Sequence, residues 1–359
     1  MSDRVNEALL YVHVPFCISK CPYCGFFSVT DQSLVPRYVE AVVREVGLRR
    51  GGFGAFETLS VGGGTPTVLP DAALGRIAAQ APLAREATLE ANPGDVDQSR
   101  LRRLREAGFT RISLGVQSFR DEDLKALGRR HNATEAREAY QWAREAGFRA
   151  VSIDLIRGIP GQRPKDFLWV LEQAIALGPD HISIYDLTVE DGTPFARMDL
   201  DLPKEDEAAD LFIETSRRLS DCGYEHYEVS NFAKGAANRC MHNLGYWERR
   251  PYLGVGPSAQ SFLGKRRSWN QRSVEGWLGR VEAGLDPTEG AEVLTPDQER
   301  LERIALGMRT QDGIPLSLAR DLGAVRRLEG ARLVMVASGR IRPTLEGMLL
   351  ADYLARELA

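Results

Sequence analysis

The chain reads as an α/β protein: an open, partial barrel of six β/α units, followed by a smaller C-terminal α+β module. Three observations predict this. A phrase recurs, Arg105-Glu-Ala-Gly-Phe109 and Arg144-Glu-Ala-Gly-Phe148, each reading as a helix end closed by glycine. An apolar run follows each phrase, Arg111–Val116 and Ala150–Leu155, which is the rhythm of repeated β/α units. The polar residues that interrupt such runs fall at their C-terminal ends, where parallel barrels carry their chemistry.

Extending the rhythm predicts strands near 9–14, 58–62, 87–92, 111–116, 150–156 and 181–187. Helices fill the gaps at 36–50, 70–81, 97–107, 121–127, 134–146 and 164–177. Short strands alternating with helices specify a parallel sheet with right-handed crossovers. Six units fall short of a closed eightfold barrel, so the barrel is expected to stay open. Beyond residue 190 the rhythm fades. Asp199–Lys204 is an acidic bridge, Glu205–Leu219 an amphipathic helix, and His226–Ser230 a short strand. The stretch from 231 to about 275 reads as irregular and rich in glycine and aromatics. Helices near 296–309 and 316–322, a hairpin over 333–342 turning at Ser338-Gly339, and a last helix from 346 form a winged-helix-like unit. The expected domains are thus 1–230, a linking region 231–290, and 291–359. The presumed wing carries only Arg340 and Arg342, so packing is a better role for it than DNA binding.

Bulk properties exclude several classes. The chain has 359 residues, 43% of them hydrophobic, with a formal charge of −4, so a full core can be buried and nucleic acid is not an expected partner. The five cysteines (17, 21, 24, 222 and 240) are odd in number and clustered, unlike a secreted disulfide scaffold. The polar start lacks a signal-peptide core, and no run approaches the roughly 20 apolar residues of a membrane span. A reducing cytoplasm is the expected location.

The cysteines carry the chemistry. Cys17-Ile-Ser-Lys-Cys21-Pro-Tyr-Cys24 follows the apolar run ending Val14-Pro15-Phe16, so the three thiols lie on a loop leaving a strand. Four thiolates would saturate a [4Fe–4S] cube; three leave one iron open to a small ligand. A zinc knuckle or a disulfide loop is the alternative, but a zinc knuckle pairs two hooks and there is one here. Gly62-Gly-Gly-Thr-Pro66 follows the second strand, and glycines there let backbone approach a ligand closely. No Lys-Ser/Thr pair follows, so it is not a P-loop. Glu90, Gln117 and Asp154 stand at later strand ends, with Arg129 beyond the fourth. Near the C-terminal third, Cys240-Met-His242-Asn243-Leu-Gly-Tyr246-Trp247 sets an imidazole beside two flat aromatic faces. Imidazole ligates haem iron, and tyrosine and tryptophan suit a porphyrin face. Packing of a barrel-lid loop is the competing reading.

The three-cysteine loop resembles that of the radical S-adenosylmethionine (SAM) superfamily. Its flanks, Tyr11-x-His13-x-Pro15-Phe16-Cys17 and Tyr23-Cys24, resemble the branch of oxygen-independent coproporphyrinogen III oxidase (HemN). The resemblance implies a partial radical SAM barrel, with Cys17, Cys21 and Cys24 as cluster ligands. It implies SAM contacts from Tyr11, Tyr23, Gly63, Gly64, Thr65 and Glu90, with Gln117, Arg129 and Asp154 lining a neighbouring position where HemN holds a second SAM. The HNxxYW spacing is similar to HemW, the haem-binding relative of HemN, and implies that His242, Asn243, Tyr246 and Trp247 contact haem. Cys240 is a competing iron ligand. The implied cofactors are a [4Fe–4S] cluster, SAM and haem. The implied function is a haem chaperone that passes haem to acceptor haemoproteins such as membrane-bound respiratory enzymes; the chain itself is not expected to enter the membrane. The sequence leaves assembly open, with a homodimer as the state to test. HemN has a further Cys two residues after the third ligand, where this chain has Phe26, and a longer segment before the first, where this chain has 16 residues. Both departures imply no coproporphyrinogen III oxidation. The rival is a radical SAM enzyme releasing a 5′-deoxyadenosyl radical, as a coproporphyrinogen III dehydrogenase or a HemN-like methyltransferase or cyclase.

Overall fold

The structure, a computed structural model, describes residues 7–359. Six parallel strands form its centre: β1 (Glu7–Val14), β2 (Ala55–Gly63), β3 (Glu86–Ala91), β4 (Arg111–Gln117), β5 (Ala150–Arg157) and β6 (His181–Asp186). They lie side by side in chain order. Between them run α1 (Val35–Arg49), α2 (Asp71–Ala78), α3 (Gln98–Glu106), α4 (Asp121–Ala126), α5 (Ala133–Glu145) and α6 (Pro164–Leu177). Their apolar faces cover the sheet, and β1, β2 and β5 are buried almost throughout, as parallel strands under helices require. The two repeated phrases end as expected, with Gly108 and Gly147 at φ of 111° and 78°. Neighbouring Phe109 and Phe148 drop into the core.

The sheet continues past both ends of the barrel. After α7 (Glu205–Asp221), the antiparallel pair β7 (Glu225–Glu228) and β8 (Asn231–Ala233) extends it beyond β6. After α8 (Met241–Trp247), four strands extend it beyond β1: β9 (Tyr252–Val255), β10 (Gln260–Leu263), β11 (Arg266–Asn270) and, after α9 (Val274–Glu282), β12 (Thr288–Val293). Twelve strands result, in the order β12-β11-β10-β9-β1-β2-β3-β4-β5-β6-β8-β7. Residues 231–275, expected to be irregular, therefore contribute four short strands, β8 to β11, and the helix α8. Strands of three to five residues are too short to show a period of two.

A buried carboxylate fastens this extension. Glu45 of α1, with no exposed surface, accepts hydrogen bonds from Arg49, Asn270, the Gly256 amide and the Trp277 indole at 2.7–2.9 Å. Burial raises its pKa against these donors.

The C-terminal unit has its own core, built on Ile304, Met308, Ile341 and Leu354. It contains α10 (Pro296–Gly307), β13 (Ile314–Pro315), α11 (Leu322–Gly330), β14 (Val334–Ala337), β15 (Arg340–Pro343), α12 (Leu345–Leu349) and α13 (Ala351–Leu358). The hairpin turns where expected: Ser338 and Gly339 both have positive φ, 50° and 71°, as a tight two-residue turn needs. The helix expected over 316–322 is instead a single 3₁₀ turn, Leu316–Leu318. The helix proper starts at Leu322, where the Asp321 carboxylate accepts from the Gly323 amide.

Candidate functional site

The C-terminal ends of the six strands surround a cavity of about 870 Å³. The Cys loop forms one wall, and Cys17, Cys21 and Cys24 all face it. The loop is pinned at both ends: the Cys17 amide donates to the Val29 carbonyl (2.9 Å) and the Val29 amide to the Pro15 carbonyl (2.7 Å). His13 bonds the Phe27 carbonyl through Nε2 (2.9 Å) and the Tyr11 hydroxyl through Nδ1 (3.1 Å). Burial lowers its pKa and keeps it a neutral clamp. None of the three thiols is in a disulfide. Thr65 Oγ1 lies 3.5 Å from the Cys17 sulfur and Arg129 Nη1 3.7 Å from that of Cys21. Among the described residues no three His, Cys, Asp or Glu side chains close around a single ion. Three free thiols spread along one wall beside a guanidinium suit a cube, which holds its ligands further apart.

The exit of β2 packs directly under this loop. The amides of Gly64 and Thr65 donate to the carbonyls of Val14 and Phe16, each at 2.7 Å. A Cβ on Gly64 would lie 2.7 Å from the Phe16 oxygen and 3.0 Å from the Cys17 sulfur. The glycine run thus serves approach to the protein's own loop as well as to a ligand.

Two carboxylates face the cavity from its floor. Glu90 accepts from the Gly63 amide at 3.3 Å; burial, and then the charge of Asp154, push its carboxyl up to about 7. Asp154 accepts from Ser113 Oγ at 2.9 Å to each oxygen and from Ser152 at 3.3 Å, while burial raises its pKa. Gln117 ends β4 at φ 67°, beside a slip in the β4–β5 register. Arg129 reaches back to the Gly115 carbonyl (2.8 Å) and to Asn92. Tyr11, Tyr23, Gly63, Gly64 and Thr65 line the cavity too. The cavity thus brings together all twelve residues expected at the cluster and SAM positions. Asn92, Ser113 and Tyr185 are among the other residues that line it. Asn92 and Tyr185 are polar residues at the ends of their strands, the same signal that marks Glu90, whereas Ser113 carries no such signal.

The HNxxYW residues divide. They lie on α8, where positions four apart share a face. His242 is buried, with Nδ1 on Thr58 Oγ1 (2.7 Å) and Nε2 on the Tyr246 hydroxyl (2.9 Å). Burial and the nearby charge of Arg250 bring its pKa down to about 3. Only Tyr246 of the four lines the cavity; Asn243 and Trp247 are half-buried and line neither this cavity nor its neighbour. Cys240 is buried, its sulfur 3.6 Å from a Glu86 oxygen, and burial pushes its thiol up to about 12. Gly245 sets the pose: a Cβ there would lie 2.5 Å from Leu9 Cδ1, so α8 sits flush against β1.

The comparisons agree with this architecture. Residues 11–174 match the family model described as Radical SAM superfamily, and residues 294–350 the one described as HemN C-terminal domain. The chain is 40% identical over 262 aligned positions to heme chaperone HemW of Escherichia coli (strain K12), covering 70% of this chain and 68% of that one. It is 35% identical over 373 aligned positions to heme chaperone HemW of Mycobacterium tuberculosis (strain ATCC 25618 / H37Rv), covering 97% and 94%. Among solved structures, E. coli coproporphyrinogen III oxidase (HemN), a radical SAM enzyme, superposes with a TM-score of 0.85 at 26% identity, over 99% of this chain and 90% of that one. A barrel whose strand ends gather three free thiols, matched along nearly its full length by such relatives, identifies the chain as a member of the HemW family within the radical SAM superfamily.

Proposed function

We propose that this chain is a haem chaperone: it holds a [4Fe–4S] cluster on Cys17, Cys21 and Cys24, binds SAM in the adjoining cavity, and passes haem to acceptor haemoproteins. The observation that carries the reading is the likeness to heme chaperone HemW over 97% of the chain. In this reading Tyr11, Tyr23, Glu90 and the Gly63–Thr65 backbone hold SAM. Arg129, Gln117 and Asp154 line the space next to it. When bound, the cluster and SAM together supply one-electron chemistry at a sulfonium. The chain's own contribution is to orient SAM against the loop, with Glu90 and Asp154 as the facing charges. Acceptors would be respiratory haemoproteins at the membrane. No helix among the described residues is long and apolar enough to cross one, so contact with it would run through the acceptor. A cytoplasmic location and a homodimer belong to the same reading; light scattering tests the latter.

The structural likeness to HemN favours a second reading, a radical SAM enzyme acting on a porphyrinogen or a smaller substrate. Anaerobic reconstitution separates the two. A chaperone binds hemin and delivers it to an apo-haemoprotein without consuming SAM stoichiometrically. An enzyme forms product and 5′-deoxyadenosine from a candidate substrate.

A further inference from the structure

A second cavity, of about 650 Å³, adjoins the first. Tyr11, Gly25, Phe26 and Tyr246 line both, and the two tyrosine rings form part of the wall between them. The composition of the second cavity differs. One part is aromatic: Tyr246 and Tyr252 meet edge to face with centroids 4.8 Å apart, and Phe262 follows at 6.3 Å from Tyr252. The other part is cationic: Arg249, Arg267 and Arg272 line it with one carboxylate, Glu302, while Glu299 and Glu292 pair with Arg249 and Arg267 from outside the lining.

The arginines are not all satisfied. Arg249 lies in the cavity wall with its guanidinium 5.0 Å from the Phe262 centroid and its side chain 8% exposed. Its Nε donates to Glu302 at 2.8 Å, yet one terminal nitrogen is buried without a hydrogen-bond partner among the described residues. A buried cationic donor left unpaired is costly. Arg267 pairs with both Glu302 and Glu292, which leaves Arg272 as the freest of the three. Arg272 is exposed, lies 5.7 Å from the Phe27 centroid, and has no carboxylate within ion-pairing distance among the described residues. Glu302 belongs to α10, so the C-terminal unit closes this cavity and partly neutralises it.

We infer that this second cavity is the porphyrin subsite, taking a flat aromatic macrocycle that carries carboxylates. The ring faces the Tyr246–Tyr252–Phe262 surface and the carboxylates meet the three arginines. Its volume lies in the range of small-molecule pockets, and paired arginines are the side chains suited to carboxylates. The inference rests on the haem reading but relocates it. His242 acts behind the wall by holding the Tyr246 hydroxyl, and Asn243 and Trp247 do not touch the ligand. Glu302 competes with the ligand's carboxylates.

The test uses the full chain with its cluster reconstituted, titrated with hemin, with metal-free mesoporphyrin, and with mesoporphyrin dimethyl ester. Arg272→Glu should weaken hemin and mesoporphyrin about five- to tenfold, the scale of reversing one exposed charge beside an anion. It should leave the ester, which lacks carboxylates, within twofold. Glu302→Gln should act in the opposite direction and tighten both acids, while Trp247→Ala changes none. Tight hemin binding that neither Arg272→Glu nor Glu302→Gln alters places haem elsewhere and overturns this subsite, leaving the haem reading standing. A wild-type chain that binds no porphyrin overturns both.

Discussion

The Tyr246 hydroxyl is hydrogen-bonded to His242 Nε2 at 2.9 Å, and the imidazole is already held on its other side by Thr58 at 2.7 Å. Both ring nitrogens are engaged before any iron arrives. The histidine is neutral throughout the working range, since burial and Arg250 bring it down to about 3. His242→Ala should therefore act first on stability, costing about 2–4 kcal/mol from the lost packing and two broken hydrogen bonds. Denaturant unfolding of the apoprotein reads this. Unchanged stability together with an altered Soret band in the hemin complex would instead make His242 a direct ligand.

The cluster loop gives the second expectation. The three thiols are free and tied to the barrel by backbone hydrogen bonds. Replacing all three with Ala should leave the fold intact and remove the about four irons per chain of the reconstituted protein. Cys240→Ser and Cys222→Ser should keep them. Iron analysis beside circular dichroism decides; full iron in the triple variant would put the ligands elsewhere.

Gly64 lies so close to Phe16 and Cys17 that any side chain displaces the loop. Gly64→Val should lower iron content and SAM binding together, rather than SAM binding alone. Equilibrium dialysis with SAM and iron analysis on the same preparation test this. A folded variant with both values unchanged would contradict the tight packing of β2 against the Cys loop.

What the sequence made legible follows from range of interaction. The six barrel strands run six to nine residues between helices with their own caps, so local pattern suffices. β9 and β10 have four residues each; β9 exists because β1 offers an edge to pair with, and β10 adds onto β9, which no local pattern reveals. In the site, Cys17, Glu90 and Asp154 stand out as interruptions of apolar runs. Ser113 becomes visible only through register: it sits opposite Ser152 on β5, so its hydroxyl reaches Asp154. The HNxxYW motif could be read but not its direction, because the pose of α8 depends on Gly245 meeting Leu9, far away in sequence.

Phe26 is 69% exposed at the mouths of both cavities. It stands two residues after Cys24. With no fourth thiol there, anaerobic incubation with coproporphyrinogen III, SAM and a reductant should yield no protoporphyrinogen IX by chromatography. Robust conversion would replace the chaperone reading with the enzyme reading. Phe26→Ala should leave iron content unchanged, because the largely exposed ring carries no thiol and little packing is lost with it.

The joint between barrel and C-terminal unit carries a pH dependence. Glu228 ends β7 where its backbone bridges Thr310 and the Val229 amide donates to the Arg309 carbonyl at 2.9 Å. Its fully buried carboxyl accepts from the Ser230 amide at 3.1 Å and from Asn231. Burial outweighs these donors and pushes it from 4.5 up to about 7. A raised carboxyl keeps its proton in the folded chain, so its contribution is fully present below 4.5 and is lost as pH rises through about 7. Glu228→Gln stays neutral and escapes this loss. Relative to wild type, the variant should gain stability between about pH 5 and about pH 8, approaching roughly 3 kcal/mol if the whole shift is expressed. Urea unfolding at both pH values measures the difference. A gap that stays constant, or narrows in the other direction, would show that Glu228 is ionised in the folded protein and held by Ser230 and Asn231 as a carboxylate.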